Sequence, residues 1–167
     1  MIARLMFACV DFAARKGLAE APAANAAADA SKLARKRQAR TTGVRGETYA
    51  YWYLRRHGYT IVAQNFTSPN LKGELDLVGY DRDVLAFVEV KTRAAAAGRD
   101  AARPEDAVNF EKRRNLIRIA RHFLRAWRIE PTVSYRFDVL AIEARHGERP
   151  VLRLHKGAFT PSTPSAH

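Results

Sequence analysis

Cysteine is nearly absent from this chain: Cys9 is the only one in 167 residues. An intrachain disulfide is therefore excluded, and so is a cysteine-rich zinc site. A reducing compartment, the cytoplasm, is the natural expectation. No apolar run approaches the roughly 20 residues that a bilayer-crossing helix needs. The opening "MIARLMFACVDF" is apolar only briefly before Asp11 and makes a poor secretory signal. The histidines show no ligand spacing, and there is no glycine-rich phosphate loop or nucleophilic triad. Acid is scarce as well. Asp and Glu number 17 against 29 Lys and Arg, which leaves a net charge of +12. Such an excess calls for a polyanionic partner, and without a membrane segment nucleic acid, DNA first, is the expected one.

What remains is the composition of one globular domain with room for a core. Three regions divide it. Residues 1–41 are alanine-rich, then basic ("LAEAPAANAAADASKLARKRQAR"), and short of large apolar residues. They read as a mobile N-terminal extension. Residues 42–159 carry the periodic patterns of a folded domain. Residues 160–167, "TPSTPSAH", read as a disordered tail.

Within the domain, "TGVRGETYAYWYLRRHGY" predicts a helix from about Val44 to His57, stopped at Gly58. Glu47, Ala50, Tyr51 and Leu54 share one face of it. Glu47 thus stands in the first turn, on the side that packs. "YTIVAQNF" predicts a strand and "TSPNLKG" a loop. "GELDLVGY" and "VLAFVEVKT" predict a β-hairpin around "DRD". Pro104 opens a second helix that ends near Trp127, with a strongly basic outer face. "VSYRFDVLAIEA" and "VLRLHKGAF" predict two last strands. The order αβββαββ, with a long crossover helix after a hairpin, implies an α/β fold: a mixed central sheet flanked by helices.

The hairpin holds the charges that need explaining. Asp76 and Glu89 lie among residues that read as core, where carboxylates are costly unless paired or metal-bound. Alternation puts Glu89 and Lys91 on one face of their strand. If Asp76 opposes Glu89, then Asp81 opposes Val84, and a one-residue slip separates the acids. Arg82-Asp83 is a weak two-residue turn, so a four-residue loop with the same pairing is expected. Converging carboxylates repel unless a cation lies between them. Oxygen donors with open water positions suit Mg²⁺ or Mn²⁺, and such an ion assists phosphodiester hydrolysis. Glu47 and Lys91 complete that kit. The competing reading is structural, a salt bridge from Lys91 to Asp76 or Glu89. Arg136 and Asp138 in "RFDVL" read as a structural ion pair, with a phosphate contact for Arg136 as the alternative.

"GVRGETYAYWYLRRHGYTIVAQN", "GELDLV", "FVEVKTR" and "RFDV" resemble, in order and spacing, the bacterial YraN family of predicted nucleases. That family is similar to archaeal Holliday-junction resolvases and to the restriction-endonuclease-like PD-(D/E)xK superfamily. The resemblance runs from about Thr42 to Phe159. It implies a restriction-endonuclease-like fold and a Mg²⁺- or Mn²⁺-dependent endonuclease acting on DNA, branched DNA included. Asp76, Glu89 and Glu47 would be metal ligands and catalytic acids, and Lys91 the catalytic lysine. Arg45, Lys72, Arg93, Lys112 and Arg113 are the candidate nucleic-acid contacts, with Lys72 standing where the family carries an arginine. Leu75 takes the place of the proline for which the superfamily signature is named. A non-catalytic nucleic-acid-binding protein of the same fold is the alternative. Cutting a four-way junction symmetrically needs a dimer, which nothing in the sequence marks.

Overall fold

The computed structural model describes Phe7, Asp11, Gly43 and residues 45–94, 108–144 and 148–161. The remainder of the 1–41 extension, the segment around Pro104 and the tail beyond 161 lie outside the described residues. The elements are helix α1 (45–56), strands β1 (Thr60–Ser68), β2 (Leu71–Asp81) and β3 (Val84–Ala94), helix α2 (Phe110–Ala126), and strands β4 (Tyr135–Ala144) and β5 (Val151–Phe159). From residue 45 onward, the described residues keep the expected αβββαββ order. The strands form one five-stranded sheet in the order β1-β2-β3-β4-β5. β1, β2 and β3 pair antiparallel. The Leu85 amide donates to Ser134 O at 2.9 Å, so the starts of β3 and β4 lie side by side and these strands run parallel. The helix between them is the crossover that parallel neighbours require. The sheet is therefore mixed, and the chain is a restriction-endonuclease-like α/β protein.

Three expectations about local structure need correction. α2 starts at Phe110, because residues 108 and 109 are not helical. Asn109 caps it: its side chain accepts from the Lys112 amide at 2.9 Å and satisfies one of the orphan donors of the first turn. The hairpin turn between β2 and β3 is two residues, Arg82-Asp83, instead of a four-residue loop. Arg82 adopts φ +56°, a left-handed conformation that a Gly or Asn would have announced. Likewise "TSPNLKG" is mostly strand. Only Pro69 and Asn70 form the turn between β1 and β2.

The chain divides into two compact units. One comprises Gly58–Glu89, Asp100–Leu140 and Leu154–His167. Its core is α2 against the sheet: Leu116, Ile119, Ala120 and Phe123 pack with Leu75, Val78, Leu85, Phe87, Phe137 and Val139. Phe123 stands edge-on to Phe66 and Phe87, and Phe137 stacks on Phe87 and Phe159. Such ring pairs add roughly 0.5–1.5 kcal/mol each beyond their burial. At the turn end of the sheet, Arg136 bonds Asp138 at 2.9 Å and Asp81 at 2.6 Å, Lys156 bonds Asp81 at 2.6 Å, and Tyr59 donates to Asp138. The Arg136–Asp138 ion pair is thus present, within a larger network.

The other unit comprises Met1–His57, Val90–Arg99 and Ala141–Arg153. Here Tyr49, Ala50 and Leu54 of α1 are buried. Phe7 stacks on Tyr49, and the Tyr49 hydroxyl donates to Asp11, whose other oxygen takes Arg149 Nε at 2.8 Å. Phe7 and Asp11 are buried. These two members of the alanine-rich segment therefore contribute to a core that its composition did not advertise.

Candidate metal and nucleic-acid site

The register that decides the site is the one the alternation argument required. Asp81 pairs with Val84 and Leu77 with Val88. The ladder ends at the Leu77–Val88 pair, and Asp76 and Glu89 are the next residue of each strand. The local sequence explains why the register holds. β2 and β3 are interior strands, and residues 75–79 and 85–89 are all buried, so both faces are covered and a slip would misplace every one of them. The same observation corrects the simple picture of an apolar face and a separate acid face. Asp76 is 7% exposed and Glu89 3%, so both acids sit in the covered interior.

Glu89 points toward the start of α2. Its Oε1 lies 3.3 Å from Lys112 Nζ, with the lysine side chain 35% exposed. Its Oε2 is buried and accepts no hydrogen bond, although Glu89 itself is partnered. Lys112, a candidate nucleic-acid contact, stands beside this carboxylate. Arg113 is also engaged: its Nε donates to Val108 O at 2.7 Å and its guanidinium lies over the Phe159 ring. Lys72 is exposed at the start of β2. Next to it Gly73 takes φ +99°.

In the other unit, Lys91 is half-buried on β3 and Arg93 is exposed near its end. Glu47 is half-buried in the first turn of α1, and Arg45 is exposed there. A side chain at Gly43 would meet Glu47 Oε1 at 4.0 Å. Gly46 explains how α1 approaches the strand. A Cβ at Gly46 would overlap Thr92 Oγ1 and come within 3.2 Å of Thr92 Cβ, so only glycine permits this contact. The contact fixes the helix turn that bears Glu47 against the strand segment that bears Lys91.

Among the described residues, no three His, Cys, Asp or Glu side chains form a metal-holding group. The donors that β2 and β3 offer beside that ladder are two carboxylates, Asp76 and Glu89. Mg²⁺ is ordinarily held by one or two carboxylates, with waters and substrate phosphates filling its other positions. Asp76 and Glu89, two buried carboxylates on paired strands, are donors of the kind such an ion takes. The contacts that sequence reasoning did not foresee share one trait. Lys112, Asp11 and Phe7 meet their partners only through tertiary packing, and no local spacing could have flagged them.

The comparisons with known proteins agree on kinship. The model of uncharacterised protein family UPF0102 matches residues 46–142, more than half of the chain. The chain belongs to the UPF0102 family. This is the YraN family of the sequence resemblance. A UPF0102 protein of Koribacter versatilis is 45% identical over 118 residues, covering 71% of this chain and 78% of its own. One of Nocardia farcinica is 39% identical over 132 residues, covering 79% and 99%. One of Symbiobacterium thermophilum is 40% identical over 120 residues, covering 72% and 97%. The UPF0102 match begins at Gly46 and includes Glu47, Asp76, Glu89, Lys91, Lys112 and Arg113. Among the described residues, no helix is long and apolar enough to cross a membrane.

Proposed function

We propose that this UPF0102 protein is a metal-dependent endonuclease that hydrolyses phosphodiester bonds of DNA, branched or otherwise structured DNA among its substrates. The observation that carries the reading is the pair of buried carboxylates, Asp76 and Glu89, on the paired strands β2 and β3, each next to the last ladder pair, Leu77–Val88. Core carboxylates are costly to fold around, and two near one another more so. A divalent cation offsets both costs.

Asp76 and Glu89 would hold Mg²⁺ or Mn²⁺. Such an ion, when bound, lowers the pKa of water and offsets charge growing on a phosphate. The chain's own groups do the rest. Lys91 follows Glu89 by two residues on one strand, and its ammonium would offset negative charge developing on the phosphoryl oxygens. Glu47 is the helix-borne acid of the proposal, a group suited to hold water by hydrogen bonding. Water oxygen forms the new bond to phosphorus, the bond from phosphorus to the leaving sugar oxygen breaks, and that oxygen takes up a proton. Arg45, Lys72 and Arg93, all exposed, are candidates for backbone phosphates.

The test is cleavage of four-way, flapped, nicked and linear DNA with Mg²⁺ or Mn²⁺, by the wild type, Asp76→Asn and Glu89→Gln. Metal-dependent cutting that both variants lose supports the reading. No cutting by the wild type, or equal cutting by the variants, sinks it. One observation favours the second reading, a binding protein without catalysis: Lys112 already neutralises Glu89 from 3.3 Å. Metal-independent DNA binding without hydrolysis would select it.

A further inference from the structure

The outer face of α2 has no part in the reading above, and its composition is unusual. α2 buries Leu116, Ile119, Ala120 and Phe123. The positions directly opposite on the helix are Arg114, Arg118, Arg121 and Arg125, spaced i, i+4, i+7 and i+11. All four are exposed. At 1.5 Å per residue the stripe is about 16 Å long. The only acid on the helix is Glu111, in the first turn. Four cations stacked on one face repel one another, and nothing in helix formation asks for them.

Two neighbouring features extend the stripe. At its N-terminal end Phe110 is 72% exposed, the most exposed large apolar side chain among the described residues, with the Arg114 guanidinium over its ring. At its C-terminal end is a cavity of about 320 Å³. Arg121, Arg125 and Arg128 line it together with Leu124, Ile129 and Tyr135. Glu130 also lines it and limits its positive charge. Guanidiniums beside aromatic and aliphatic groups suit a nucleotide, with phosphate on the charges and base or sugar on the apolar surface.

We propose that the outer face of α2 is a binding surface for the sugar-phosphate backbone of nucleic acid, with Arg114, Arg118, Arg121 and Arg125 each facing a phosphate. Arginine matches phosphate oxygens bidentately, and about 16 Å of duplex presents roughly ten phosphate charges to such a row. An acidic membrane is the other large polyanion. A helix that lies on a membrane immerses its apolar face in lipid, but the apolar face of α2 is packed into the protein core. The surface therefore fits nucleic acid. This inference rests on the nucleic-acid half of the proposed function and not on hydrolysis.

The experiment is salt titration of duplex DNA binding by fluorescence anisotropy, with the full chain in EDTA so that no cleavage occurs. Wild type is compared with Arg114→Gln/Arg118→Gln/Arg121→Gln/Arg125→Gln, and with Arg55→Gln/Arg82→Gln as a control at exposed arginines elsewhere. The slope of log K against log salt falls by about 0.9 for each phosphate that is no longer neutralised. The quadruple variant should show a slope shallower by about 3 to 4 units, and the control a change of less than one. A slope unchanged in the quadruple variant, an equal per-arginine change in the control, or no DNA binding by the wild type overturns the proposal. So does failure of the quadruple variant to sediment with phosphatidylserine vesicles while its DNA binding stays intact. Circular dichroism confirms that the exposed substitutions leave the fold in place. Binding that shifts as expected, in a protein that cuts no DNA, leaves this surface standing and removes the nuclease reading. Cleavage with an unchanged slope does the reverse.

Discussion

Gly46→Ala is a small perturbation at the contact that sets Glu47 beside β3. Alanine normally gains about 1 kcal/mol over glycine inside a helix. Here its Cβ would overlap Thr92 Oγ1 and lie 3.2 Å from Thr92 Cβ and 3.6 Å from Cγ2. Rotating Thr92 can remove the first overlap. The 3.2 Å approach to Cβ does not depend on the rotamer, so the backbone must also yield by a few tenths of an ångström. Overpacking of this kind costs about 1–3 kcal/mol. The clash therefore outweighs the helix gain, and the net destabilisation is about 1 kcal/mol. For a domain of this size that lowers the Tm by about 2–4 °C. Thr92→Gly removes Cβ together with Oγ1 and Cγ2, and so removes all three close approaches. In that background Gly46→Ala should be neutral or stabilising, which makes a coupling of about 1 kcal/mol in a double-mutant cycle. Urea melts of the four proteins measure it. Equal destabilisation in both backgrounds, or a Gly46→Ala protein more stable than wild type, would refute the claim that close approach to Thr92 is why glycine stands there.

Further outcomes follow from the same structure. Lys112→Met removes the ammonium that competes for Glu89, an ion pair worth about 0.2–1 kcal/mol after solvent screening. Mn²⁺ affinity should rise by up to about fivefold in calorimetry, the same energy expressed as a ratio; a weaker affinity would mean that Lys112 supports the site. Phe123→Ala removes a fully buried ring packed on Phe66, Phe87 and Trp127. It should cost about 3–5 kcal/mol, and a cost below about 1 kcal/mol in urea melts would contradict the core described. Hydrogen bonds from Lys156 and then Arg136 hold the Asp81 carboxyl below the usual range. A depressed carboxylate stabilises the fold above its unfolded pKa near 4, and that contribution fades as pH falls through the lower folded value. Asp81→Asn should therefore flatten the acid limb of the stability curve below about pH 4; an unchanged limb would be contrary. Burial, then the Asp138 charge, pushes the Tyr59 hydroxyl up. Its contribution is complete below about pH 10 and is lost as pH rises further. Tyr59→Phe should be less sensitive to alkali than wild type above that point, as thermal melts would show.

The sequence disclosed what depends on short-range periodicity. β5 has the bounds its pattern indicated, and the pairing of Asp81 with Val84 follows from placing Asp76 opposite Glu89. The acids themselves were legible because charged residues in apolar runs are conspicuous. Turn geometry was less so. Nothing in the side chain of Arg82 signals a positive φ, and the flanking ladders impose it. The helix start was misjudged because Pro104 and two acids look like a first turn, while Asn109, five residues later, supplies the side chain that caps the helix. The ion pair between Lys112 and Glu89 could not be read at all. It joins distant parts of the chain through the crossover, and only packing of α2 on the sheet brings them together. Phe7 and Asp11 were hidden for a related reason: an alanine-rich segment hides two residues whose value lies in contacts made elsewhere, with Tyr49 and Arg149.

The central claim is that Asp76 and Glu89 together hold a divalent ion. Calorimetric titration of Mn²⁺ into wild type, Asp76→Asn and Glu89→Gln tests it without reference to any substrate. One saturable site in the wild type, weakened at least about tenfold by either substitution, is the expected result. Wild-type protein that binds no Mn²⁺, or variants that bind it as tightly as wild type, would contradict the account.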